Sequence, residues 1–181
     1  STSVCSFRWD EAEFTVLDAP GDANFAGELR CAIAAADNAV LVLNAQDGVR
    51  VGTERAYHYA REHGLGLAAV ANKMDLERAD YEACAKQLEE AFGVRVVKLH
   101  LPIGRGEGFR GFVNLLTGLA HHLDANGKLV TDEPPAELAA EIAAARLAMV
   151  EAVAEADDAL LEKYFFFHDT ATTETNIIFG A

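Results

Sequence analysis

Apolar and polar residues follow one another along the first part of the chain in blocks that predict alternating strands and helices. Two short β-rich runs, Val4–Trp9 and Glu13–Leu17, predict a hairpin. Continuous apolar runs predict strands buried on both faces at Ala39–Leu43 and Leu67–Ala71, and Val94–Leu99 predicts a further strand. Helical spacing predicts a helix over residues 25–36. Residues 45–52, with Asp47-Gly48, have turn chemistry, and Thr53 is the predicted N-cap of a helix that reaches His63. Asp80 is the predicted N-cap of a further helix through Phe92, which Gly93 is expected to end. The alternation indicates an α/β fold with a mostly parallel sheet flanked by helices.

The pattern changes from Leu101 onward and predicts a second, smaller lobe. Several glycines loosen the chain between residues 104 and 111, and Pro134-Pro135 interrupts it. Apolar positions then recur every three or four residues from Leu138 to Ala156, which predicts a long helix with one apolar stripe. We expect this stripe to pack on its own lobe. The alternative is a surface for a partner helix.

Both ends of the chain have unusual sequences. The chain opens with Ser1 and strand-like sequence, so we expect it to be a fragment of a longer protein. Residues 165–181 begin with Phe165-Phe166-Phe167 and continue with a threonine-rich run. This segment resembles the peptide produced when sequencing-adaptor DNA is translated, and we expect a non-native tail. The alternative is a genuine β-prone segment.

Charge and cysteine content restrict the possible partners and location. Among 181 residues, 15 Lys and Arg stand against 29 Asp and Glu, so the net charge is −14 and 51% of residues are hydrophobic. Such an acidic globular protein is not expected to bind DNA or a membrane surface through charge. The cysteines Cys5, Cys31 and Cys84 lack metal or disulfide spacing, which predicts reduced core thiols in a cytoplasmic protein. We expect a monomer.

Two polar loops follow predicted strands, where parallel sheets bind ligands. Asp18-Ala-Pro-Gly21 has the pattern DxxG, and Asn72-Lys-Met-Asp75 has the pattern NKxD. Asp18 precedes Asn72 by 54 residues. Each pattern alone is weak, and ordinary turn chemistry remains the alternative for each. Their order, spacing and position together favour a nucleotide site.

The residue types in these loops suit a guanine nucleotide with Mg²⁺. The Asp75 carboxylate can accept hydrogen bonds from guanine N1–H and the exocyclic amine, a donor pair that adenine lacks. Asn72 can bond the base edge or brace neighbouring loops, and the aliphatic stem of Lys73 can lie along the purine. Asp18 is a hard oxygen ligand suited to Mg²⁺. Gly21 lets its backbone N–H approach a terminal phosphate.

From Val4 to Tyr164 the sequence resembles elongation factor G and its paralogues, the translational GTPases. The resemblance implies a P-loop-NTPase-like fold, with residues 1–100 forming part of a G domain and residues 101–164 part of its inserted subdomain. It also implies GTP hydrolysis on the ribosome in the cytoplasm, with GTP or GDP and Mg²⁺ as cofactors. The matching stretches are residues 14–21, 39–43, 46–49, 71–75 and 101–104.

The sequence departs from this family in its phosphate-binding parts. The pattern GxxxxGK[ST] is absent, and we expect it upstream together with the first strand. The resemblance places that strand between Phe14–Leu17 and Ala39–Leu43, so the chain alone should be poorly stable, bind nucleotide weakly and be inactive. Asp22, the candidate catalytic residue, occupies the position of the family's usual His. A carboxylate there repels developing phosphate charge, so we expect slow hydrolysis.

Two other functions remain open from the sequence. The chain can be a nucleotide-free pseudo-GTPase or interaction module whose long acidic helix binds a protein partner. It can also belong to another translational GTPase, such as a release-factor or ribosome-protection relative. The first alternative predicts no guanine preference, and the second differs mainly in domains outside this chain.

Overall fold

A computed structural model describes residues 1–154, which form two compact units. Unit 1 comprises Ser1–Val94 with Arg105–Phe109, and unit 2 comprises Arg95–Gly104 with the residues from Arg110 onward. The predicted non-native tail and the last position of the apolar stripe, Ala156, lie outside the described residues.

Unit 1 alternates strands and helices as the sequence predicted. Its elements are β1 (Ser3–Trp9), β2 (Ala12–Asp18), α1 (Ala26–Ala35), β3 (Asn38–Asn44), α2 (Val51–Glu62), β4 (Gly66–Asn72) and α3 (Tyr81–Phe92). β1 and β2 form an antiparallel hairpin, and β3 and β4 pair in parallel in a second two-stranded sheet. The parallel pair with its connecting helix confirms the α/β fold class.

The helices of unit 1 begin and end at capping residues. The Asp80 carboxylate accepts a hydrogen bond from the Ala83 N–H at 2.8 Å, and α3 ends at Gly93, whose φ is 61°. Both were predicted. The prediction of Thr53 as the N-cap of α2 was wrong. Arg50, three residues earlier, is the N-cap, and Thr53 accepts the Arg50 N–H from within the first turn.

The prediction that β3 and β4 are buried on both faces was wrong. In β3 only Leu41 and Leu43 are buried, while Val40 and Val42 are 58% and 64% exposed. The side chains alternate because successive residues of a strand point to opposite faces, and only one face of this pair is covered within the described chain. β4 shows no buried residue.

Unit 2 is an antiparallel sheet covered by a helix. The strand predicted at Val94–Leu99 does not form. The chain enters a sheet only at the next residue. The elements of unit 2 are β5 (His100–Ile103), β6 (Gly111–Asn114), β7 (Ala120–Leu123), β8 (Leu129–Asp132) and α4 (Ala139–Ala154), with the strands in sequence order.

The apolar stripe of α4 packs on its own unit, as predicted. Ile142 and Met149 join one core cluster with Leu101, Val113 and Leu115 of the sheet region. The stripe is therefore buried within unit 2 and is not a free surface for a partner helix. Within residues 1–154 no helix is both long and apolar enough to cross a membrane.

The prediction that the cysteines are core residues holds for one of the three. Cys84 of α3 is buried, and its thiol donates to the Ala45 carbonyl at 3.6 Å. Burial raises the pKa of this thiol. Cys5 and Cys31 are exposed, because they lie on uncovered faces of β1 and α1.

Candidate nucleotide site

The DxxG loop, defined as residues 18–22, starts at the last residue of β2. Asp18 stands opposite Ser3 in the hairpin register and is exposed, so its carboxylate is accessible to a cation. Gly21 is also exposed, and a Cβ built on it would meet no atom within 4 Å. The loop therefore presents open space beside its backbone, as close approach of a phosphate requires.

Asp22 has a structural role that the sequence did not reveal. Its Oδ1 accepts the Asn24 N–H at 2.9 Å, and its carbonyl accepts the Phe25 N–H at 3.0 Å. These bonds start a 3₁₀ turn, Ala23–Phe25, that leads into α1. Asp22 therefore caps this turn with one carboxylate oxygen while its side chain stays exposed.

The NKxD loop, defined as residues 72–75, is anchored by the side chain that its pattern leaves unspecified. Met74 is 8% exposed and belongs to a core cluster with Ala45, Ala79 and Cys84. The three specified residues, Asn72, Lys73 and Asp75, are exposed. The buried Met74 side chain fixes the loop, while the three polar side chains remain available to a ligand.

Two backbone hydrogen bonds tie the NKxD loop to neighbouring segments, and one side-chain bond braces it from within. The Asn72 carbonyl accepts the Ala45 N–H at 2.8 Å, and the Met74 carbonyl accepts the Gly106 N–H at 3.0 Å. The Asn72 side-chain oxygen accepts the Lys73 N–H at 2.8 Å. Lys73 itself has a φ of 61°, a left-handed conformation that costs free energy in any residue with a Cβ.

A polar network beside this loop was missed by sequence reasoning, which treated residues 45–52 as turn chemistry. The Asp47 carboxylate accepts hydrogen bonds from Arg50 Nη2 at 2.6 Å and from the Asn44 amide at 2.8 Å. The hydrogen bond from Arg50 is the largest influence that lowers the pKa of Asp47, and the charge on Lys73 contributes to the same shift. The network thus places a stable negative charge near the NKxD loop.

The segment from Ala45 to Gly52 contacts both predicted loops. At its start the Ala45 N–H bonds the Asn72 carbonyl. At its end Gly52, in the first turn of α2, lies against the backbone of Gly21. The two loops that the sequence singled out therefore belong to one connected region of unit 1, at the carboxyl ends of β2 and β4.

The sequence that forms this region matches a known family of domains. The model of the elongation factor Tu GTP binding domain matches residues 1–180. The chain belongs to the elongation factor Tu GTP binding domain family. The match extends over most of the segment that the sequence predicted as a non-native tail. A family of GTP-binding domains identifies a guanine nucleotide as the ligand class, and the exposed carboxylate of Asp18 fits its usual companion, Mg²⁺.

A solved structure supports the same fold for this GTP-binding domain. The crystal structure of a protein from Thermus thermophilus is similar to it, with a TM-score of 0.81 and 34% sequence identity. The match covers 91% of this chain and 24% of that chain, so this chain spans about a quarter of that protein's length.

Proposed function

We propose that this chain is part of the G domain of an elongation-factor-G-like translational GTPase that acts on the ribosome in the cytoplasm. In this proposal residues 1–100 belong to the G domain proper and residues 101–164 to an inserted subdomain. The observation that carries the proposal is the NKxD loop of a GTP-binding family member, in which Met74 is buried and the three specified residues are exposed.

Guanine recognition follows from the exposed side chains of the NKxD loop. Asp75 accepts two hydrogen bonds from the N1–H and the amine of guanine, and adenine leaves this carboxylate unsatisfied. Lys73 covers the purine with its aliphatic stem. The charge on Lys73 is the last of the influences that lower the pKa of Asp47, after the hydrogen bonds from Arg50 and Asn44.

In this proposal the DxxG loop binds the terminal phosphate and the metal ion. Asp18 holds Mg²⁺ directly or through water, and the Gly21 N–H donates to the terminal phosphate. Mg²⁺ supplies charge neutralisation of the phosphates when it is bound. Asp22 stands where a group that orients the attacking water is expected, and its negative charge slows hydrolysis.

The alternative of a protein-interaction module gains no support from the apolar stripe of α4. Ile142 and Met149 of that stripe are buried in the core of unit 2, so the stripe does not offer a surface to a partner helix. The family match to a GTP-binding domain favours the nucleotide-binding proposal.

The test measures GTP hydrolysis by the full-length protein with and without ribosomes. We expect ribosomes to accelerate turnover, and Asp18→Asn to lower Mg²⁺-dependent activity about ten- to 100-fold. Asp37→Asn is the matched control, because Asp37 is also exposed and lies away from both loops in the sequence. Ribosomes that leave turnover unchanged would contradict the proposed role in translation.

A further inference from the structure

Gly52 lies unusually close to the DxxG loop. An ideal Cβ built on Gly52 would stand 2.8 Å from the carbonyl oxygen of Gly21 and 3.8 Å from its carbonyl carbon. The first distance is shorter than van der Waals contact permits, and the atom that would be struck is backbone. Any other residue at position 52 therefore requires the DxxG loop or the start of α2 to move.

Position 52 requires glycine because a side chain would not fit, and not because the backbone conformation demands it. Gly52 is not among the glycines with positive φ, and it sits in the first turn of α2, where every residue type can adopt the backbone conformation. The missing side chain is what allows the approach. Nothing in the sequence signalled this, because the contact joins residues 31 positions apart.

Of the two segments in this contact, the start of α2 is fixed by more hydrogen bonds to the rest of unit 1 than Gly21 of the DxxG loop. The Gln87 side chain of α3 accepts the Val49 N–H at 2.9 Å, and the Ala45 N–H bonds the Asn72 carbonyl. Downstream of Gly21, Asp22 is held by its cap bonds to the 3₁₀ turn. A Cβ on Gly21 would meet no atom within 4 Å, so we expect Gly21, and not the start of α2, to shift when the contact is altered.

We propose that Gly52 is a positioning residue for the DxxG loop. Its lack of a side chain seats the Gly21 carbonyl against α2 and thereby sets the orientation of the Gly21 N–H toward the terminal phosphate. This inference rests on the proposed function of Gly21 as a phosphate contact. It predicts that position 52 controls the response to the terminal phosphate and leaves recognition of the base untouched.

The test compares the full-length wild-type protein with Gly52→Ala and Gly27→Ala. Gly27 is a matched control because it lies in α1 and a Cβ there meets no atom within 4 Å. Affinities for GDP and for a non-hydrolysable GTP analogue are measured by titration. We expect Gly52→Ala to weaken binding of the GTP analogue about ten- to 100-fold while GDP affinity stays unchanged. Gly27→Ala should alter neither affinity.

Any other result contradicts either the proposed function or the positioning role of Gly52. If wild type binds neither GDP nor the GTP analogue, the proposed function fails and this inference fails with it. If wild type binds both ligands and Gly52→Ala changes neither affinity, only the positioning role of Gly52 is wrong. Equal losses for both ligands mean that Gly52 is merely structural, which also overturns the inference. Hydrogen exchange across residues 18–25 provides a second readout, and we expect faster exchange in Gly52→Ala with the GTP analogue bound.

Discussion

At the scale of single residues, the NKxD loop combines strain, burial and exposure within four positions. Lys73 adopts a left-handed backbone with a φ of 61°, and the adjacent Met74 side chain is buried in the core. The hydrogen bond from the Lys73 N–H to the Asn72 side chain supports the same conformation. Strain in a loop that carries exposed polar groups is typical of a binding site, where the surrounding structure holds an unfavourable conformation for function.

This strain leads to a prediction for Lys73→Gly. Glycine adopts the left-handed conformation freely, so the free energy of unfolding should rise by about 1 kcal/mol. Affinity for GDP should fall, because the aliphatic stem that covers the purine is lost. Asp10→Gly is the matched control, since Asp10 has a φ of 49° in the β1–β2 turn and no proposed ligand contact. It should gain stability without losing affinity, as measured by thermal unfolding and titration. A Lys73→Gly variant with unchanged affinity would remove Lys73 from the proposed site.

Substitutions of Asp22 can separate the effect of its negative charge from its role as a cap of the 3₁₀ turn. Asp22→Asn keeps an acceptor for the Asn24 N–H and removes the negative charge, so we expect faster ribosome-stimulated GTP hydrolysis with unchanged stability. Asp22→His should accelerate turnover further, because an imidazole can orient the attacking water. Single-turnover hydrolysis by the full-length protein measures both effects. Unchanged turnover in both variants would show that Asp22 does not limit the reaction.

Residue types and local spacing were sufficient to predict the two loops, because each motif is contiguous. They were not sufficient to predict Gly52, Gln87 or the bonds of Asp47 to Arg50 and Asn44. Those contacts depend on how α2 and α3 pack beside the loops, and their residue types also occur in ordinary turns. Asp47-Gly48 was noted from the sequence only as turn chemistry.

At the scale of elements, local signals predicted helices better than strands. Asp80 and Gly93 marked the ends of α3 correctly because capping is a local interaction. Val94–Leu99 has strand-like composition but forms no strand, because β-propensity depends strongly on the surroundings that the folded chain provides. The exposed face of β3 was missed for the same reason, because burial depends on which element covers the sheet.

The sheet of unit 2 contains a histidine whose ionisation should affect stability. The His100 ring packs on Phe112, with ring centroids 4.6 Å apart, and Phe112 in turn stacks on His121 at 5.4 Å. Desolvation lowers the pKa of His100 below its ordinary value of 6.5, and the charge of His121 lowers it further. The unfolded chain therefore binds this proton more readily, so His100 reduces stability as the pH falls through 6.5 toward its lowered pKa.

Hydrogen exchange of the β5 and β6 amides tests this prediction. We expect protection to decrease as the pH falls from about 7 to about 5, after correction for intrinsic exchange rates. His100→Gln should flatten this dependence. His63→Gln in unit 1 serves as the control and should leave the dependence in β5 and β6 as it is in wild type. The same pH dependence in wild type and His100→Gln would contradict the assignment.

At the scale of the whole molecule, unit 1 exposes apolar side chains on both of its small sheets. Phe14 and Val16 of β2 and Val40 and Val42 of β3 are each more than 40% exposed. β2 and β3 belong to two separate two-stranded sheets among the described residues. Exposed apolar strands with unpaired edges favour aggregation, despite a net charge of −14.

Substitutions on the two faces of β3 should therefore have opposite effects in this 181-residue chain. Val40→Thr with Val42→Thr should reduce aggregation, because threonine keeps the β-branched shape and lowers the apolar exposure. Leu41→Ala should increase aggregation by destabilising the fold by about 2–5 kcal/mol, since Leu41 is buried on the opposite face. Light scattering during heating measures both. Equal aggregation of the Val40 and Val42 double variant and wild type would show that this face is not responsible.

The most direct test of the nucleotide site is a titration of the full-length protein, wild type and Asp75→Asn, with GDP, ADP and xanthosine diphosphate. Two hydrogen bonds to a carboxylate predict that wild type prefers GDP over ADP by about 100-fold or more. Asp75→Asn replaces an acceptor by an amide that can donate to the xanthine carbonyl, so its preference should move from GDP to xanthosine diphosphate. Equal binding of GDP and ADP by wild type, or an Asp75→Asn variant that retains its preference for GDP, would contradict guanine recognition by this loop.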